Sequence, residues 1–202
     1  MQRLLDRIKD VRDAFPPAVR QFLVRALLLF IAWKALYLFL WQTPRTLDEP
    51  LTRSVGRQTT WVLNFLNGTD QFREREIYKT TYIEGERIQS PMSHVYLGDR
   101  RVIGIADSCN GLELFILYIG FILAMPAYWK RKLIYGTVGL LIVHVVNILR
   151  CVGLGALMLG MDEYFELAHH YIFKMFIYGT IFLLWVRFSR NIVLKPAADA
   201  TI

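Results

Sequence analysis

A chain of 202 residues that is 54% hydrophobic, with a mean hydropathy of +0.33, leaves no room for a large soluble domain beside its apolar runs. The formal net charge is +7. The Lys and Arg residues gather at the ends of apolar runs, which points to a lipid bilayer as the partner of that charge and excludes nucleic acid.

Residues 1–21 carry Arg3, Arg7, Lys9, Arg12 and Arg20. They predict an amphipathic segment on the cytoplasmic surface, interrupted at Pro16-Pro17. Residues 22–41 are long and apolar enough for a first transmembrane span. No small-x-small cleavage site follows at Gln42-Thr43-Pro44-Arg45, so this span reads as an uncleaved signal anchor. Residues 42–108 predict an extracytoplasmic region in two parts. Leu51 to Leu66 reads as a helix along the outer leaflet, with Leu51, Val55, Trp61, Val62, Phe65 and Leu66 on its apolar face. Glu76–Ile83, Val95–Leu97 and Arg101–Ile105 read as short strands of a β-meander.

Residues 109–190 predict a core of three further spans: Leu112–Tyr128, Leu133–Leu149 with an extension toward Leu159, and Tyr171–Val186. Residues 191–202 form a tail. The basic turn Lys130–Lys132 and the basic residues Arg187, Arg190 and Lys195 belong inside, and the acidic turn Gly160–Ala168 belongs outside. The expected fold class is an all-α integral membrane protein with four transmembrane helices and both termini cytoplasmic. A small extracytoplasmic amphipathic-helix plus β-strand insertion separates spans one and two.

This topology brings three ionisable groups to one membrane depth. Cys109 opens span two, where the positive end of a helix dipole favours thiolate. Arg150 ends the apolar part of span three, and His169 and His170 open span four. Ionisable residues at membrane depth have partners or functions. These types suit acyl transfer: a thiolate attacks a carbonyl, an imidazole carries the proton, and a guanidinium stabilises the oxyanion. Asn147, one turn before Arg150, is placed to orient the guanidinium or to donate to the oxyanion. Glu113 and Glu166 are placed to orient or charge-pair the site residues. No metal or other cofactor is expected.

At Ser108-Cys109-Asn110-Gly111-Leu112, at Asn147-Ile148-Leu149-Arg150, and at the histidines heading the last span, the sequence resembles the exosortase/archaeosortase family of membrane-embedded cysteine transpeptidases. The resemblance covers roughly residues 100–190 and implies a compact four-span variant. It implies a thiol protease or transpeptidase that cleaves C-terminal sorting signals of exported proteins. Its partners would be membrane-anchored substrates with a tripartite signal and a lipid-linked acceptor. It would sit in the bacterial cytoplasmic (inner) membrane, with the site facing the periplasm or cell exterior. Cys109 would be the nucleophile, Arg150 the oxyanion or positioning group, and His169 or His170 the acid/base, with His169 favoured. The alternatives are a non-enzymatic membrane component of an envelope polysaccharide or export system, and a thiol oxidoreductase using Cys109 and Cys151.

Overall fold

A computed structural model describes residues 17–40, 47–83 and 86–190; the terminal segments and Trp41 lie outside the described residues. Five helices carry most of the chain: α1 (Pro17–Leu40), α2 (Asp48–Asn67), α3 (Leu112–Ala124), α4 (Trp129–Gly160) and α5 (Phe173–Ser189). Three antiparallel strands, β1 (Phe72–Ile83), β2 (Glu86–Leu97) and β3 (Arg100–Ala106), form one sheet in the order β1-β2-β3. The sheet lies between α2 and α3 in sequence.

Local chemistry explains most boundaries. Pro17 stands at the first position of α1, where its missing N–H costs nothing. Asp48 and Glu49 occupy the first turn of α2, on the positive end of its dipole. Gly68 closes that helix in the left-handed region (φ 59), returning its N–H to Asn64 and Phe65 carbonyls. α3 stops at Ala124, before Pro126, whose ring disfavours helix in the residue ahead of it.

The hairpin is longer than the sequence pattern predicts. β1 begins at Phe72 and β2 at Glu86, where the pattern gives Glu76 and Val95. Pro91 hides the first half of β2 from sequence reading. It pairs with Tyr78 of β1, but β3 reaches only as far as Met92, so no third strand asks for the N–H that proline lacks.

α4 has 32 residues and α3 has 13. At 1.5 Å per residue these are about 48 Å and about 20 Å, so α3 is shorter than the predicted span Leu112–Tyr128, while α4 takes in Leu133–Leu149 and the expected extension toward Leu159 and begins earlier, at Trp129. Two helical runs are long and apolar enough to cross a membrane, Trp129–Gly160 and Asp162–Ser189. Only 17% of the most apolar window of the second is buried, which is the reverse of a soluble core helix. Leu141, Met175, Phe182 and Leu183 are among its and α4's exposed side chains. On α1, Leu27, Leu28, Phe30 and Ile31 are exposed in the same way.

Two cores meet along α4. The sheet-side core joins Val55 and Leu63 of α2, Phe72, Val95, Val102 and Ile105 of the sheet, and Ile148, Val152 and Leu154 of α4. The helix-side core joins Leu114, Tyr118 and Ile122 of α3, Val143 of α4, and Ile177, Ile181 and Phe188 of α5. Close approach makes both. The Tyr118 ring lies where any side chain at Gly139 would stand, and Ser93 occupies that space at Gly56.

α2 has a second, packed face that its apolar pattern does not mark. Its buried residues are Thr52, Val55, Gly56, Thr59, Thr60 and Leu63, while Trp61, Phe65 and Leu66 are exposed. Small side chains let α2 lie close against both the sheet and α4, and the large apolar groups turn outward.

Candidate active site

The junction of the two cores is where the β3–α3 connection crosses α4. Ala106 leaves the sheet extended, and Asp107–Cys109 form one 3₁₀ turn. Cys109 therefore stands three residues ahead of α3, half-buried, on a connection with little regular structure of its own. Side chains from distant elements hold it. Asn110 is fully buried. Its Nδ2 donates to Asp48 Oδ1 at 2.8 Å and to Thr52 Oγ1 at 3.2 Å, and its Oδ1 accepts the Leu112 N–H at 2.8 Å. The last bond satisfies a free donor of the first turn of α3. Thr52 in turn donates to Asp107 Oδ1 at 3.2 Å. Gly111 takes φ 90, a region open to glycine, and a Cβ there would press on the Asn147 amide.

α4 supplies the opposite wall. Asn147 Nδ2 donates to the Cys109 carbonyl at 3.0 Å, and Arg150 Nη2 lies 3.7 Å from Cys109 Sγ. The spacing of three residues puts both on one face of α4. Arg150 is only 8% exposed, yet among the described residues no carboxylate pairs with it, and its Nε has no partner. A buried guanidinium without a counter-ion costs several kcal/mol, so this position favours a negative charge beside it. Asn147 Oδ1 is also without a partner. The sequence placed Asn147 to orient the guanidinium or to donate to the oxyanion. Its amide nitrogen braces the backbone of the cysteine.

The histidines belong to an irregular turn. Ala168–Ile172 is π-helical, a form that often marks functional positions in helices. His169 is half-buried, stacks on Phe165 with centroids 5.7 Å apart, and lies within electrostatic reach of Arg150. His170 is exposed and bonds Glu166 at 3.0 Å. The two rings do not diverge as neighbours on an α-helix would, because they touch edge to face at 4.8 Å. Neither ring hydrogen-bonds Cys109. Glu166 thus orients the outer histidine, and Glu113 is exposed with no bond to Cys109 or Arg150. Cys151 is a buried, free thiol of the sheet-side core. Among the described residues no three His, Cys, Asp or Glu side chains gather as metal ligands do.

Sequence reasoning missed the contribution of α2. Asp48 and Thr52 pin the cysteine loop, and Gln58 Oε1 meets His144 Nε2 of α4 at 3.0 Å. One signal was present: Asn110, just ahead of a helix start, is a capping residue by type.

The arrangement provides a half-exposed thiol, a guanidinium beside it, and a nearby imidazole at the start of an apolar helix. No curated protein and no solved structure matches the chain. A family model described as transmembrane exosortase matches residues 16–187, which takes in α1, the sheet and every site residue named above. The chain belongs to the transmembrane exosortase family.

Proposed function

We propose that this protein is a membrane-embedded cysteine transpeptidase that cleaves C-terminal sorting signals of exported proteins. The observation that carries the proposal is the Arg150–Cys109 pair: a buried cation with no carboxylate partner among the described residues, 3.7 Å from a thiol. Cys109 gives its proton to His169 and attacks the carbonyl carbon of the scissile peptide bond. The oxyanion that forms is stabilised by Arg150, whose Nε has no protein partner. The C–N bond breaks as the imidazolium protonates the leaving amine, which leaves a thioester on Cys109. An acceptor amine, or water, then gives a proton to His169 and displaces the thiol. A lipid-linked acceptor fits a site at membrane depth.

The topology that goes with this reading has four spans, formed by α1, α3 with the turn after it, α4 and α5, and both termini on the cytoplasmic side. The site then faces the exterior of a bacterial inner membrane. Gathering of Arg25, Lys132, Arg131 and Arg187 at the end of the bundle away from Cys109 supports that orientation. The exposed Trp61, Phe65 and Leu66 suit contact of α2 with the outer leaflet.

The test is co-expression with an exported reporter carrying a C-terminal motif, membrane span and basic tail, followed by immunoblot for release of the anchor. The parent chain releases it and Cys109→Ala does not. Equal release by both, at equal membrane levels, overturns the proposal and leaves a non-enzymatic membrane role.

A further inference from the structure

At the end of the bundle opposite Cys109, two clefts run together between α4 and α5. The first, of about 800 Å³, is lined by Arg131, Ile134, Tyr135, Arg187 and Arg190. The second, of about 550 Å³, is lined mostly by apolar side chains, among them Val138, Ile142, Leu183 and Leu184. Ile134, Tyr135 and Arg187 belong to both, so a cationic mouth opens directly onto an apolar groove.

Arg131 is built into the wall. It donates to the carbonyls of Phe188 and Arg190 and lies over the Tyr135 and Phe188 rings, 5.4 Å and 5.6 Å from their centroids. Arg187 and Arg190 are exposed, and no carboxylate pairs with either among the described residues. The two helices that line the cleft supply none themselves: no Asp or Glu stands between Glu113 and Asp162, or between Glu166 and Asp199. Along α4, Arg131 and Arg150 are about 28 Å apart, close to the thickness of a hydrocarbon core. The mouth therefore lies at the headgroup level of the other leaflet, and the groove runs inward among acyl chains.

We infer that the double cleft binds one anionic phospholipid of that leaflet, with its phosphate on Arg187 and Arg190 and an acyl chain in the groove. A soluble anion has no use for the groove, and a zwitterionic lipid has less use for the guanidiniums. A basic substrate tail is repelled by them. The site is separate from the thiol, and the inference stands whether or not the protein cleaves peptides.

Native mass spectrometry of the purified full-length chain in detergent tests this. Palmitoyl-oleoyl phosphatidylglycerol is compared with the matching phosphatidylcholine, dihexanoyl phosphatidylglycerol and inorganic phosphate. One long-chain phosphatidylglycerol should be retained in preference to phosphatidylcholine. Arg187→Gln with Arg190→Gln should weaken it about thirtyfold. Arg187→Lys with Arg190→Lys should keep much of the binding, which separates lost charge from misfolding. Val138→Trp, which fills the groove, should weaken the long-chain lipid while sparing the cationic mouth. Equal retention of phosphatidylcholine, or no change in the double Gln variant, overturns the inference. So does competition by inorganic phosphate or the short-chain lipid as effective as that of the long-chain one. A large gain in affinity on deleting residues 191–202 would also overturn it, by making the chain's own tail the occupant.

Discussion

Cys109 and Arg150 stand 41 residues apart and meet because the β3–α3 connection is tied down from two sides. Their fates on substitution should differ in kind. Cys109→Ala removes the attacking atom, so no acyl-enzyme should form. Arg150→Lys keeps a charge but loses the planar fork, and should lower anchor release by roughly 10²–10³. Asn147→Ala removes one hydrogen bond to the Cys109 backbone and should cost less, about fivefold, at about 1 kcal/mol per bond. His169→Ala should be severe and His170→Ala mild, since the former is half-buried and within electrostatic reach of Arg150, while the latter is exposed. A severe His170→Ala with an active His169→Ala would reverse the assignment. The anchor-release blot, with each variant checked for membrane abundance, decides all five. Much of this was legible in the sequence, because a Cys, an Arg and a His at one depth of an apolar chain are costly without purpose. The anchoring of Asn110 by Asp48 and Thr52 was not, because hydrogen bonds across some sixty residues leave no local periodicity.

At the level of elements, α2 shows what an apolar pattern leaves out. Trp61, Phe65 and Leu66 read as a face for the outer leaflet and are exposed, but the pattern does not mark Thr52, Gly56, Thr59 and Thr60, which the sheet and α4 press against. Contact through small residues ties the sheet to the site, so disturbing the sheet should disturb the cysteine loop. His94 offers a way to do so. It is buried on β2 opposite Gly104, whose missing Cβ leaves room for the ring. Burial, and after it the Arg101 charge, holds its pKa below the ordinary 6.5. Protonation therefore favours the opened sheet. The stability contributed by the neutral ring is whole above 6.5 and is lost as pH falls below it. The protection of amides in β2 and β3, with the intrinsic pH dependence of exchange divided out, should fall as pH is lowered from about 7.5 to about 5.5, and His94→Phe should flatten that dependence. An unchanged dependence in the variant would assign it to other groups. Between α3 and α4, Gly139→Leu would force the Tyr118 ring aside and should cost roughly 1–3 kcal/mol, seen as a lowered Tm in detergent.

For the whole molecule, the testable statement is its orientation. Reporter fusions after Arg75, Arg131 and Ile202 should report outside, inside and inside. An outside signal at Arg131 would put Cys109 on the cytoplasmic face and end the sorting proposal. That apolar helices dominate residues 109–190, and that α4 extends toward Leu159, was readable from hydropathy, whereas other helix ends were not: Pro126 shortens α3, and α4 begins at Trp129 within the basic turn. The position of Arg150, near one headgroup plane of a helix whose other end carries Arg131, has a kinetic consequence. Under the proposed function, a thiol fixed at that height meets a bilayer-anchored substrate by diffusion in a plane. Its encounter rate is set by molecules per unit area of lipid, not per litre. In proteoliposomes, adding inert lipid to a fixed amount of protein and substrate should slow processing. Diluting the same vesicles in buffer should leave the rate per vesicle unchanged.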